Sequence, residues 1–247
     1  ATWAGGVIPS CGDNVIIQHQ ITSDMTIGVN NLTINNTGKL TSDLAVSVAG
    51  TFAITGNGAY THNNITDAAT TIFAGIESFS ATSTITVNKW YNYNVPFPTN
   101  ISGKFGHLIF NTPYTWQQNG LFAPDRIMGD LSITAGIMTL DNGTGMTTNL
   151  TLQNVTVSGT GRLYINTGTP RDLNLTTGNF TISSTSSNGS SIMYHSVGDL
   201  VWIINGNLSV AQRFSIVEGT SVADSGSATI FMSGNFAITG GVFDGFK

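Results

Sequence analysis

A five-residue line recurs along this chain: glycine, a polar residue, an apolar residue, a small residue, an apolar residue. It reads Gly50-Thr51-Phe52-Ala53-Ile54, Gly129-Asp130-Leu131-Ser132-Ile133, Gly178-Asn179-Phe180-Thr181-Ile182, Gly206-Asn207-Leu208-Ser209-Val210 and Gly234-Asn235-Phe236-Ala237-Ile238. The last three copies begin 28 residues apart. The blocks between them also align without a gap, Gly198-Asp199-Leu200-Val201-Trp202-Ile203-Ile204 over Gly226-Ser227-Ala228-Thr229-Ile230-Phe231-Met232. A repeat of this length with internal alternation is about one coil of a solenoid. Each strand then stacks on its counterpart one coil later, about 4.8 Å away. Three files follow: Phe180, Leu208 and Phe236; Ile182, Val210 and Ile238; and Asn179, Asn207 and Asn235 at the turn. Stacked Asn side chains can hydrogen-bond from coil to coil. The expected fold is all-β, a right-handed parallel β-helix over residues 1–247. A β-sandwich is the alternative, but it gives no reason for one constant interval.

The rest of the chain agrees with β structure. Short alternating runs such as Asn14 to Gln18, Asn31 to Asn35, Thr84 to Asn88 and Arg162 to Asn166 end in Gly, Asn or Thr-Gly, the pattern of strands bounded by turns. The gaps between them are too short for the crossover helices of βαβ units. Thr, at 35 residues, favours pleated surfaces, and 29 Gly with 24 Asn favour turns.

Charge excludes whole classes of function. Only 9% of residues are charged, against roughly 25% in an average domain. Eight Lys and Arg against 13 Asp and Glu leave a net charge of -5, the wrong sign for a nucleic-acid footprint. No apolar run approaches the roughly 20 residues of a membrane helix, so no direct membrane insertion is expected. A single cysteine, Cys11, excludes an internal disulfide; it is a small inert residue or pairs outside the chain. No signal segment opens the sequence, and the Thr, Asn, Ser and Gly excess points to a mature exported chain. The C-terminus stops about halfway through a repeat without the amphipathic cap that solenoids need, so a longer parent protein is expected.

Residues 90–124 break the rhythm. They hold Trp90, Tyr91, Tyr93, Phe97, Tyr114, Trp116 and the prolines 96, 98, 113 and 124. Proline cannot donate to a ladder, so the expectation is an irregular loop or coil. Trp90, Tyr91, Tyr93, Tyr114 and Trp116 form the candidate contact surface for carbohydrate or another partner, since exposed rings serve as anchors. The bland alternative is that these rings close a gap in the core. Trp202 alternates within a strand and reads as core.

The opening, Trp3-Ala4-Gly5-Gly6-Val7-Ile8-Pro9 then Gly12-Asp13-Asn14-Val15-Ile16-Ile17, with Asn31-Leu32-Thr33-Ile34-Asn35 and Gly38-Lys39-Leu40 after it, resembles β-helix regions in large surface proteins of Bacteroidetes. Those proteins are exported by the type IX secretion system, and many are adhesins or gliding-motility cargo. The later Gly-Asn-Phe-Thr-Ile lines are similar to their coils. The resemblance implies a structural segment at the bacterial cell surface. Its partners would be secretion or outer-membrane machinery and surface polysaccharide. Cys11 stands where Ser or Thr is expected, and no C-terminal sorting domain is seen.

Parallel β-helices also include polysaccharide lyases and hydrolases, which keeps a carbohydrate-binding or polysaccharide-degrading module as the alternative. Glycoside hydrolysis needs two carboxylates about 5–9.5 Å apart. Asp125 and Asp130, beside Arg126, are the closest pair in a plausible loop, and they read more simply as a turn and a strand start. His19, His62, His107 and His195 lie far apart without zinc spacing. No nucleophile elbow or calcium-repeat motif is present. No catalytic residue, cofactor or metal is therefore assigned. The 11 Asn-x-Ser/Thr sites, among them Asn31, Asn64, Asn149 and Asn207, are what so much Asn and Thr produces by chance.

Overall fold

The computed structural model describes residues 7–63, 76–89, 105–117, 127–141, 148–166, 172–185, 192–194, 199–211, 214–216, 227–240 and 243–245. All regular structure among them is strand, stacked in parallel register as a β-solenoid. Two compact units divide the chain, Ala1–Tyr114 and Thr115–Lys247.

The strands of the first unit are β1 (Asn14–Ile17), β2 (Gln20–Ser23), β3 (Ile27–Val29), β4 (Asn31–Ile34), β5 (Lys39–Ser42), β6 (Val46–Val48), β7 (Thr51–Ile54), β8 (Ala59–His62), β9 (Ile76–Phe79), β10 (Thr84–Val87) and β11 (His107–Gln117), the unit boundary falling inside β11. One sheet stacks β1, β4, β7 and β9, a second β2, β5, β8, β10 and β11, and a third β3 and β6. Alternation decides what points inward. Ile17, Ile34, Ile54 and Phe79 form one register file, and Leu40, Tyr60, Ile85 and Leu108 another, all buried. Rings cross-link these files: Phe52 meets Tyr60 edge-on at 5.5 Å and Phe79 at 5.2 Å, and Phe79 stacks on Phe105 at 5.9 Å. Each such pair adds about 0.5–1.5 kcal/mol beyond its buried area.

The second unit holds β12 (Leu131–Asp141), β13 (Thr148–Thr151), β14 (Val155–Val157), β15 (Arg162–Asn166), β16 (Leu173–Thr177), β17 (Phe180–Ile182), β18 (Ile192–Tyr194), β19 (Leu200–Ile204), β20 (Leu208–Val210), β21 (Phe214–Ile216), β22 (Ala228–Met232), β23 (Phe236–Ile238) and β24 (Phe243–Gly245). Three parallel stacks result: β13-β16-β19-β22, β12-β14-β17-β20-β23 and β12-β15-β18-β21-β24. β12 serves two of them, pairing Leu131–Ile133 with β14 and Ile137–Asp141 with β15. Gly136 lies between these segments at φ 72, a backbone region glycine enters without steric cost. That lets one strand turn the corner.

The expected files are present. Phe180 pairs with Leu208 and Leu208 with Phe236, while Ile182, Val210 and Ile238 follow two residues on. The aligned seven-residue blocks pair strand on strand, Leu200–Ile204 against Ala228–Met232. Trp202 is fully buried between Leu175 and Ile230 in register. Its indole N–H donates to Thr177 Oγ1 at 3.0 Å, and its ring meets Phe180 edge-on at 4.7 Å.

Of the stretch expected to be irregular, residues 90–104 and 118–124 lie outside the described residues. Between them runs β11, a strand of 11 residues within the stretch expected to be an irregular loop or coil. The alternation His107-Leu108-Ile109-Phe110 carries it, in register with Thr84–Val87. That pairing ends at Phe110, ahead of Pro113, so the proline costs this ladder no donor.

Candidate functional site

The polar residues at strand entry connect one coil to the next. In the second unit Asp130, Asn154, Asn179, Asn207 and Asn235 each sit just before an inward apolar residue. Asp130 Oδ1 accepts the backbone N–H of Asn154 at 3.2 Å and its Nδ2 at 2.9 Å. Asn154 Oδ1 accepts both from Asn179 at 3.0 Å. Asn179 Oδ1 then takes the Asn207 N–H, and Asn207 Oδ1 the Asn235 N–H, each at 2.9 Å. The side-chain oxygen of one coil thus caps the backbone donor of the next. The Asn file expected from the repeat exists, with backbone N–H groups as its main donors.

The glycine of the motif belongs to the same device. A Cβ on Gly206 would lie 2.5 Å from Asn179 Oδ1, and one on Gly234 2.7 Å from Asn207 Oδ1. Real side chains do not approach so closely, so the residue before each later Asn is held to glycine. A parallel ladder runs beside it: Asp172 Oδ1 accepts the Asp199 N–H at 2.9 Å, and Asp199 Oδ1 takes the Ser227 N–H at 2.7 Å and its hydroxyl at 2.9 Å. In the first unit Asn14 Oδ1 accepts from Asn31 Nδ2 at 2.6 Å, and Asn31 Oδ1 from the Thr51 N–H at 2.7 Å.

Asn179 is exposed, so water replaces part of what it offers. Asn179→Ala is expected to cost the fold about 0.5–1.5 kcal/mol. Asn179→Asp, which keeps the acceptor as Asp130 does, costs less. Chemical denaturation followed by circular dichroism separates the two.

At the first turn, Asp13 accepts the Ser10 N–H at 2.7 Å and the Ser10 hydroxyl at 2.9 Å. The backbone bond first, then the hydroxyl, hold its carboxyl below the usual carboxylate range. A depressed folded-state pKa contributes stability that is present above the unfolded-state value and lost as pH falls through the folded one. Ser10→Ala should raise the Asp13 midpoint in an NMR titration while leaving the backbone share of the shift in place.

Trp90, Tyr91, Tyr93, Asp125, Arg126 and His195 lie outside the described residues. Tyr114 and Trp116 are on β11, and their side chains also lie outside them. Asp130 is a ladder acceptor. His62 is buried with Nδ1 2.9 Å from the Tyr60 hydroxyl, His107 is on β11, and His19 is exposed at the bend between β1 and β2. Cys11 is an exposed free thiol. Among the described residues no three of His, Cys, Asp and Glu converge as a metal site would require, and no helix is long and apolar enough to cross a membrane. Asn31, Asn154, Asn179 and Asn207 begin Asn-x-Ser/Thr sites, and all four are ladder members. Those sites therefore have a structural origin. An entry Asn followed by an inward apolar and an outward Ser or Thr reproduces the triplet.

The sequence reading gave Asp130, Asn154, Asn14 and Asn31 no place in the ladder, although the signal is there: each precedes an apolar, outward, apolar triplet. No protein-family model matches the chain, and no match is found among curated proteins or solved structures.

Proposed function

We propose that this chain is a structural β-helical section of a large exported cell-surface protein, of the adhesin, stalk or gliding-motility cargo type. The observation that supports it is the coil-to-coil ladder from Asp130 to Asn235. There the most regular polar groups are spent on holding coils in register rather than presented to a ligand. Neutral Ser and Thr occupy the outward positions between them, as at Ser132, Thr156, Thr181 and Ser209. Such a surface meets water without strong fields of either sign.

A carbohydrate-binding role for Trp90, Tyr91, Tyr93, Tyr114 and Trp116 is the competing reading, and one experiment separates them. The chain is passed over a panel of immobilised polysaccharides beside a Trp90→Ala, Trp116→Ala variant with an unchanged circular dichroism spectrum. The structural role expects no retention of either protein. Retention of the native chain alone would overturn it and place a sugar site on those rings.

A further inference from the structure

Five Asn-Gly pairs occur in the chain, beginning at Asn57, Asn119, Asn142, Asn188 and Asn205. The pairs at Asn57 and Asn205 lie among the described residues. An asparagine before glycine carries its own reactive neighbour. The glycine nitrogen, unshielded by a Cβ, reaches the side-chain carbonyl carbon, and asparagine is for that reason thermally labile. What holds the two groups decides whether they meet.

The fold treats the two pairs differently. Gly58 is buried, and its N–H donates to the Thr55 carbonyl at 3.1 Å, closing a turn. The Asn57 N–H donates to Asn36 Oδ1 at 2.7 Å. Attack there must first break a bond. Asn205 is exposed, at the bend between β19 and β20. Its N–H donates to the Thr177 carbonyl at 2.8 Å, and two residues on the Asn207 N–H donates to Asn179 Oδ1 at 2.9 Å. Between these anchors neither the Asn205 side chain nor the Gly206 N–H has a hydrogen-bond partner among the described residues.

We propose that Asn205 is a site of spontaneous deamidation and isomerisation. The Gly206 nitrogen gives up its proton and forms a bond to Asn205 Cγ. The Cγ–Nδ2 bond breaks, and ammonia leaves with that proton, so a cyclic imide remains. Water then adds to one of the two imide carbonyls. Addition at Cγ returns the normal main chain with an aspartate. Addition at the backbone carbonyl gives isoaspartate, whose main chain runs through Cβ and Cγ. One water is consumed and one ammonia released, with no oxidant or reductant.

Isoaspartate lengthens the main chain by one methylene just ahead of the tightest point of the ladder. A Cβ on Gly206 would already lie 2.5 Å from Asn179 Oδ1, so the extra length has no room there and must displace Asn207. Asn207 donates to Asn179 and accepts from Asn235. A single modified residue therefore loosens two rungs.

The test holds the whole chain in warm, mildly alkaline buffer, then digests it and reads the peptides by mass spectrometry with separation of aspartyl from isoaspartyl forms. Asn205 is expected to convert about fivefold or more faster than Asn57, the factor that one engaged backbone hydrogen bond is worth. In guanidinium chloride, where only the Asn-Gly sequence acts, the two should convert at the same rate. An Asn205 that stays intact in the folded chain while converting in the unfolded one overturns the proposal. So does an Asn57 that keeps pace with Asn205 in the folded chain, and so does a mass gain in that peptide that persists in Asn205→Ser. The isoaspartyl protein, separated by chromatography, should unfold at a lower denaturant concentration than the aspartyl form. Equal midpoints would overturn the loosening of the ladder.

Discussion

Replacing Trp202 with alanine is expected to lower the unfolding free energy of the second unit by about 3–5 kcal/mol. The indole is fully buried, and it fills the space between Leu175 and Ile230 against the edge of Phe180. Two effects contribute, and they can be separated. Trp202→Phe keeps most of the volume but leaves the buried Thr177 Oγ1 without its indole donor, which costs about 1–3 kcal/mol. Chemical denaturation read by far-ultraviolet circular dichroism measures both, with no reliance on the fluorophore removed. If alanine costs no more than phenylalanine, cavity formation is not what Trp202 prevents. Coils stack on their neighbours, so the transition in Trp202→Ala should also lose cooperativity near β19 before β12 and β14 melt.

Gly159→Ala is the second large effect. Gly159 has φ +54, and its added Cβ would run into the backbone carbonyl of Thr134 in the preceding coil. The backbone strain alone is about 1–3 kcal/mol. The collision adds to it, because a carbonyl that accepts the Thr160 N–H at 3.0 Å cannot swing aside without breaking that bond. Gly12→Ala is the control: its Cβ meets nothing within 4 Å, so the change should stay within about 0.5 kcal/mol. Parallel thermal melts of the two variants decide whether glycine is needed for close approach or is merely common in this composition.

The second unit was legible in the sequence because its last coils keep one length. A constant interval puts Phe180 over Leu208 and Asn179 over Asn207 by arithmetic alone. Trp202 was legible by alternation within Leu200–Ile204. The first unit hid the same design because its steps change, from 17 residues between Asn14 and Asn31 to 20 between Asn31 and Thr51. No fixed period survives that drift. His62 and Glu77 face inward from positions where apolar residues stand in neighbouring coils, Val87 for one and Phe52 for the other. A pattern of hydrophobicity cannot announce a buried polar side chain. β11 escaped for the opposite reason: Pro113 and the aromatic residues around it read as a break, while the four residues His107–Phe110 ahead of the proline pair with β10. The candidate aromatic surface was a matter of residue type alone, and residue type does not say which way a ring faces.

The asparagine ladder has a consequence for how such a chain can change its length. Each step of the ladder brings one N–H, of the backbone or between Asn14 and Asn31 of the side-chain amide, back to one side-chain oxygen, and that return is achieved after 17, 20, 24, 25 or 28 residues. The oxygen serves as a datum from which every lap is measured, whatever the chain does on the way round. Insertions are then absorbed at the corners remote from that datum, where doubling a loop costs only about 0.6 kcal/mol. Lineages of such coils would keep the datum and let the circumference drift. A search that assumes equal laps would find only the stretches where nothing had yet been added.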